Sequence, residues 1–103
     1  MKKDLKTEIQ KLINIYKFGD FNSVLKKCSS LLNDYPKNDF LWNLSGLSFQ
    51  QIGNHKNAIT SFQNALNSNQ NNYSAKNNLA ISYKNIFNYS KAIELLTELI
   101  KKF

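Results

Sequence analysis

Residues 41–66, LWNLSGLSFQQIGNHKNAITSFQNAL, predict two helices joined by a short turn. Apolar residues recur at helical spacing in both halves: Leu41, Leu44, Leu47 and Phe49, then Ala58, Ile59, Phe62, Ala65 and Leu66. Gly53 and Asn54 interrupt the pattern between them. Because the turn is so short, the two helices must lie antiparallel and pack on each other. One hairpin cannot bury both of its apolar faces, so it needs neighbours in the rest of the chain.

A repeat supplies those neighbours, because a shift of 34 positions aligns the chain with itself without a gap. The coinciding sets are Gly19, Gly53 and Phe87; Val24, Ala58 and Ala92; Cys28, Phe62 and Leu96; Leu31, Ala65 and Leu99; Leu12, Gly46 and Ala80. The repeat predicts an all-α fold, a right-handed α-solenoid of three antiparallel helix hairpins. Its six helices are expected at about 4–18, 21–34, 39–52, 55–68, 73–86 and 89–102, with no strands.

The pattern resembles the tetratricopeptide repeat, in which Trp, Leu-Gly, Tyr, Ala, Phe, Ala and Pro recur at this period. The residues that carry the resemblance are Trp42, Gly46, Phe49, Ala58, Phe62 and Ala65, then Leu79, Ala80, Tyr83, Ala92 and Leu96, and more loosely Ile15, Gly19, Val24, Leu31 and Pro36. We expect one domain, 1–103, with repeats at about 5–38, 39–72 and 73–103, the last of them incomplete.

Several positions predict local features. Leu12 stands where the motif has a small residue, so we expect the first hairpin to be splayed or its first helix to be displaced. Phe87 replaces the turn glycine, which predicts that Asn85 or Asn88 takes the special backbone conformation. Asn22, Asn54 and Ser90 are the expected N-cap or near-cap residues of the second helices. Trp42 is expected to be buried between the two helices of its hairpin.

The composition indicates a globular chain without a membrane span. The N-terminal MKKDLKTE lacks the apolar segment of a secretory signal, and Cys28 has no second cysteine with which to form a disulfide. A cytoplasmic location is therefore expected. The net charge is +7, but all fourteen basic residues are lysines. Since arginine makes the bidentate contacts that specific nucleic-acid binding uses, we do not expect a nucleic-acid partner.

The residues that could carry chemistry are few and scattered. His55 is the only histidine and falls in a turn, where the other repeats have Phe21 and Tyr89. Cys28 aligns with apolar residues and is predicted to be buried and inert. No cysteine–histidine cluster has the spacing of metal ligands. We therefore expect no catalytic residue, no metal and no cofactor, and a protein that is not an enzyme.

The resemblance implies instead that a polypeptide partner lies in the concave groove formed by the first helix of each hairpin. The positions that it implies, here called the groove residues, are Lys6, Ile9, Ile13, Lys17, Phe40, Asn43, Leu47, Gln50, Gln51, Ser74, Asn77, Asn78, Ile81, Lys84 and Asn85. Ile13, Leu47 and Ile81 form an apolar stripe, and amides that can pair with a peptide backbone flank it. Alternatively, the stripe packs between adjacent first helices.

Two functions remain open from the sequence. The first is a non-enzymatic module for protein–protein interaction, a scaffold that binds a peptide segment. The second is the substrate-docking or regulatory arm of a larger transferase. Asn43-Leu44 and Asn77-Asn78-Leu79 resemble the repeats of O-linked N-acetylglucosamine transferases and repeat-bearing sulfotransferases, whose groove asparagines hold polypeptides. Only Asn78 matches their asparagine ladder directly.

The last helix is expected to carry more apolar residues than its neighbour can cover. They are Ile93, Leu96, Leu99, Ile100 and Phe103. Solenoids usually end on a helix with a polar outer face. Either further repeats or a second copy of the chain is therefore expected to cover this face.

Overall fold

The computed structural model describes residues 4–103 and shows six α-helices and no strand within that range. The helices are α1 (Leu5–Lys17), α2 (Phe21–Asp34), α3 (Asp39–Gln51), α4 (His55–Ser68), α5 (Tyr73–Asn85) and α6 (Tyr89–Lys102). They pair as three hairpins in a body of 44 × 25 × 20 Å. The predicted all-α solenoid is confirmed, with helix bounds correct to within one residue. Residues 1–3 of the predicted domain lie outside the described range.

Asparagine or aspartate side chains cap most of the helices. Each of these caps accepts a hydrogen bond from the backbone N–H three residues later: Asp20, Asn38, Asn54, Asn72 and Asn88. Asn54 is confirmed as an N-cap. Asn22 and Ser90 lie near the caps, as the second residues of α2 and α6, and the caps of these helices are Asp20 and Asn88. The hydroxyl and N–H of Ser23 both donate to Asp20, which lowers the pKa of its carboxyl.

Two buried clusters hold the hairpins together. The first contains Leu12, Val24, Cys28, Leu31, Leu32, Leu41 and Leu44. The second contains Ala58, Phe62, Leu79, Tyr83 and Ala92. The first cluster contains residues of α1, α2 and α3, and the second contains residues of α4, α5 and α6. Packing therefore crosses the boundary between hairpins, as expected of a solenoid in which each unit is stabilised by its neighbours.

Helices α3 and α4 approach each other closely at Gly46. A Cβ atom at this position would lie within 2.8 Å of three atoms of the Phe62 ring, and Phe62 is itself fully buried. Any side chain at position 46 would have to displace that ring or separate the helices. The predicted close approach is confirmed.

The first hairpin is more open than the other two. Helix α1 packs less closely on α2 than α3 packs on α4 or α5 on α6. Leu12 occupies the position of Gly46 and Ala80 and is fully buried, so its bulk separates the helices. A cleft of about 350 Å³ lies between them, lined by Glu8, Leu12, Ser23, Lys26, Lys27, Ser30 and Leu31. The predicted splaying of this hairpin is confirmed.

Trp42 is only half-buried, so its predicted full burial within the middle hairpin is wrong. Its ring packs against the first cluster. The indole Nε1 donates a hydrogen bond of 2.8 Å to the carbonyl of Pro36. Since Pro36 is exposed in the connection after α2, reaching its carbonyl keeps part of the indole at the surface.

The turn between α5 and α6 also corrects a prediction. Phe87 has a φ of 66°, close to 84° at Gly19 and 80° at Gly53. Neither neighbouring asparagine takes this conformation, because Asn85 ends α5 and Asn88 caps α6 with a φ of −89°. The Phe87 N–H donates to Lys84 and the Asn88 N–H to Tyr83, a pattern that requires a left-handed residue at position 87. The position of Phe87 in the turn therefore determines its left-handed backbone conformation, although a phenylalanine side chain disfavours it.

Apolar side chains of α6 remain exposed along one face. The exposed fractions are 63% for Ile93, 40% for Leu96, 75% for Ile100 and 84% for Phe103. Leu99, the remaining member of the predicted set, is half-buried. The expectation that the neighbouring helix covers only part of this set is confirmed.

Replacing Gly46 by leucine should lower the free energy of unfolding by about 1–3 kcal/mol, because the new side chain overlaps the Phe62 ring. Chemical denaturation measures the change. Gln51→Leu is the control, since it adds the same side chain at an exposed position of the same helix. An unchanged denaturation midpoint for Gly46→Leu would contradict the close approach of α3 and α4.

Replacing Phe87 by glycine should raise the free energy of unfolding by up to about 1 kcal/mol, because a left-handed conformation is costly for residues with a Cβ. Thermal and chemical denaturation should both show the gain. Phe87→Ala is the control: it removes the same exposed ring but keeps a Cβ. Equal stabilisation by both variants would attribute the gain to the ring and not to the backbone.

Candidate polypeptide-binding groove

The groove residues all lie on α1, α3 and α5, and they differ in how far solvent reaches them. The exposed ones are Lys6, Lys17, Phe40, Gln51, Ser74, Asn77, Lys84 and Asn85. The half-buried ones are Ile9, Ile13, Leu47, Gln50, Asn78 and Ile81. Asn43 is buried, with 9% of its surface exposed. The predicted set therefore divides into an outer group that a partner can reach and an inner group that helps to hold the helices.

Three of the inner amides join α3 to α5. Asn43 Nδ2 donates to Ser74 Oγ at 3.3 Å, and Asn78 Nδ2 donates to Asn43 Oδ1 at 3.1 Å. Gln50 Nε2 lies 3.1 Å from the Asn78 carbonyl and 2.8 Å from Ser82 Oγ, and donates to both. These bonds set the register of the two helices. They also occupy amide groups that would otherwise be free to bind a peptide.

The same arrangement is missing between α1 and α3. Helix α5 packs against α3, whereas α1 makes no comparable approach to it. At the positions of Asn43 and Gln50, α1 carries Ile9 and Tyr16, which have no amide. The hydroxyl of Ser48, which occupies the position of Ser82, has no hydrogen-bond partner among residues 4–103. The groove is thus tied together by polar bonds on its α5 side only.

The apolar stripe of Ile13, Leu47 and Ile81 is half-buried along its whole length. Leu47 packs against the second cluster, beside Phe62 and Leu79. Each residue of the stripe also keeps a surface that solvent reaches. Packing between first helices and contact with a partner are therefore compatible, and the binding role of the stripe remains a prediction.

The groups with reactive side chains lie away from the groove. Cys28 is fully buried, and its burial raises the pKa of the thiol while a hydrogen bond with Ser45 lowers it by a smaller amount. Since the thiolate is the reactive form, this cysteine is inert at neutral pH. His55 begins α4 and is half-buried, as expected of a partly packed turn residue. Within residues 4–103, histidine, cysteine and carboxylate side chains form no group of three that could hold a metal ion.

Two family models describe the chain, and both are models of the tetratricopeptide repeat. They match residues 41–72 and 78–103. The matched segments cover most of the second and third hairpins, in which the small residues Gly46 and Ala80 let the paired helices approach closely. The chain belongs to the tetratricopeptide repeat family.

Solved structures of tetratricopeptide-like shape agree with this fold. MamA from Desulfovibrio magneticus RS-1, residues 41 to the end, superposes with a TM-score of 0.88 and 14% sequence identity, over 96% of this chain and 56% of that one. A double mutant of MamA RS-1 gives a TM-score of 0.85 at 15% identity, over 91% and 53%. MamA MSR-1 gives 0.74 at 19% identity, over 92% and 59%. At these identities the likeness shows the fold alone.

This chain spans just over half the length of the three solved structures. No curated protein matches it in sequence. None of the helices in residues 4–103 is long and apolar enough to cross a membrane.

Ser82 is the groove-side residue that the sequence analysis missed. It is fully buried and receives the hydrogen bond from Gln50. Its signal in the sequence was weak, because a serine on a helix resembles an exposed residue unless its partner is known. The alignment of Ser82 with Ser48, four residues after Asn78 and Leu44 respectively, was the only available indication.

Gln50→Ala should lower the free energy of unfolding by about 1–3 kcal/mol, because it removes the donor to the buried Ser82 hydroxyl and a second donor to the Asn78 carbonyl. Gln51→Ala is the matched control. Gln51 is the next residue and is exposed, so its loss should change stability by about 0.5 kcal/mol or less. Chemical denaturation of both variants tests the network. If they are equally stable, the bonds between α3 and α5 do not hold the groove.

Proposed function

We propose that the protein is a non-enzymatic interaction module that holds a polypeptide segment, extended or helical, in the groove of α1, α3 and α5. The observation that carries this proposal is the division of the groove residues. An inner set of amides is committed to joining α3 and α5, while an outer set remains exposed in front of it. A surface that is already held in position loses less conformational entropy when it binds.

The outer residues suit a polypeptide. The exposed amides of Gln51, Asn77 and Asn85 each offer a donor and an acceptor, as the peptide backbone requires. Phe40, 40% exposed, adds an apolar contact at the edge of the stripe. The groove residues also include three lysines and no carboxylate, at Lys6, Lys17 and Lys84. Charge complementarity therefore favours a segment with acidic side chains.

A substrate-docking arm of a larger transferase would use the same groove. Asn78 is the residue that matches the asparagine ladder of those enzymes, and its Nδ2 donates to Asn43. This bond engages the amide within the solenoid, so the observations favour the interaction module. The proposal includes a cytoplasmic location, which the free and buried thiol of Cys28 supports.

A library of random peptides displayed on phage supplies the probe, because it samples many segment sequences at once. Peptides selected on the wild-type protein should bind Asn77→Ala, Asn85→Ala about 10- to 30-fold more weakly, because each lost hydrogen bond contributes about 1 kcal/mol. Asn22→Ala, Asn57→Ala is the matched control. It removes two exposed amides from α2 and α4 and should leave affinity unchanged.

Fluorescence anisotropy with the labelled peptides gives both affinities, and circular dichroism confirms that both variants stay folded. Asn78 is left intact because its amide joins α3 to α5. The proposal is wrong if the control pair weakens binding as much as the groove pair. It is also wrong if the library yields no peptide that binds the folded protein.

A further inference from the structure

The exposed face of α6 is the one that the earlier second helices bury. The exposed apolar residues of this face, here called the α6 stripe, are Ile93, Leu96, Ile100 and Phe103. The equivalent residues of α2, Cys28 and Leu32, lie in the first cluster beside Leu41 and Leu44 of α3. In α4 the equivalent Phe62 lies in the second cluster beside Leu79 of α5, and Ile59 and Leu66 pack against that cluster. Another helix thus covers this face in both earlier hairpins.

At the opposite end of the solenoid, the described residues of α1 form no matching apolar face. In α3 the residues that face the preceding hairpin are Leu41, Leu44, Ser45 and Ser48, all of them buried. The equivalent residues of α1 are Thr7, Gln10, Lys11 and Asn14, all of them polar and exposed. A copy of the chain therefore cannot cover the α6 stripe with its α1, because the apolar stripe offers no hydrogen-bond partner to the polar side chains that it would bury.

We propose that the α6 stripe binds the α6 stripe of a second copy, which gives a closed dimer. An interface between unlike ends would propagate into a filament, whereas an interface of one patch with itself closes after two copies. The polar face of α1 excludes the first arrangement, and the self-complementary stripe permits the second. Each copy then covers the other's apolar residues, as α3 covers α2 and α5 covers α4.

The residues of α6 favour antiparallel helices in this dimer. An antiparallel pair centred between Leu96 and Ile100 places these two opposite each other across the interface, and Ile93 opposite Phe103. In this arrangement Glu94 lies at the rim of the interface, on the same side as Lys101 of the second copy. A parallel pair would instead bring the C-terminal Lys101 and Lys102 of both copies together, along with the negative ends of both helix dipoles.

The dimer surface is separate from the groove. The α6 stripe lies on a second helix and the residue after it, whereas the groove residues all lie on first helices. Occupation of one surface therefore does not require occupation of the other, and failure of either proposal leaves the other standing.

Sedimentation velocity over a range of protein concentrations tests the association. The wild-type mass should rise from 11.9 kDa towards twice that value and stop there. Ile100→Lys should remain at 11.9 kDa at every concentration, because the lysine places a charge in the centre of the stripe. Phe18→Lys is the matched control. It puts the same charge on an apolar residue that is 91% exposed at the end of α1, and it should dimerise as the wild type does.

Cysteine cross-linking tests the orientation. Thr97 and Ser90 are both exposed and lie seven residues apart on the same side of α6. Under mild oxidation Thr97→Cys should form a disulfide-linked dimer, because position 97 is close to the centre of the antiparallel pair. Ser90→Cys should not, because its counterpart would lie beyond the end of the other helix. Cys28 is fully buried and does not interfere.

A wild-type protein that stays monomeric at every concentration would overturn the proposal, as would association that Ile100→Lys leaves unchanged. Growth beyond two copies would contradict a closed dimer. Cross-linking through Ser90→Cys would overturn the antiparallel assignment.

Discussion

The contact between Gly46 and the Phe62 ring is the constraint on which the rest of the structure depends. It brings α3 and α4 together so closely that a Cβ atom at position 46 would overlap the ring. The outer sides of this hairpin then receive α2 and α5, whose residues complete the two clusters. Since the hairpins on either side pack on this one, its geometry determines where the first helices of the groove lie.

The groove is not uniform, and the difference has a chemical cause. Between α3 and α5, the amides of Asn43, Asn78 and Gln50 reach across and fix the register. Between α1 and α3, Ile9 and Tyr16 stand in the amide positions. The Tyr16 ring instead makes an edge contact with Phe21, with ring centroids 5.2 Å apart. Together with the bulk of Leu12, this leaves α1 packed less closely on the rest of the solenoid than α5 is.

Much of the fold could be predicted from the sequence because the same residue pattern occurs in three successive repeats. The helix bounds, the close approach at Gly46 and the splaying caused by Leu12 all depend on residue size at aligned positions. Two errors came from giving the type of a side chain more weight than its aligned position or its hydrogen bonds. Phe87 takes the left-handed conformation because two backbone hydrogen bonds require it, although its side chain disfavours it. Trp42 remains partly exposed because its indole reaches the Pro36 carbonyl.

The groove could be predicted only as a set of positions. The sequence cannot tell an amide that binds a partner from one that bonds to a neighbouring helix, since both are asparagine or glutamine at the same spacing. The difference between Gln50 and Gln51 depends on which side of α3 faces Ser82. Distances between helices resolve it, and they come from the structure alone.

The most direct test of the central claim, that the first helices form one binding surface, is a titration followed by backbone amide NMR shifts. The protein is titrated with a library-selected peptide whose stoichiometry is known. The account predicts shift changes concentrated on α1, α3 and α5, largest near Gln51, Asn77 and Asn85. Changes concentrated on α2 and α4, with the first helices unaffected, would contradict it.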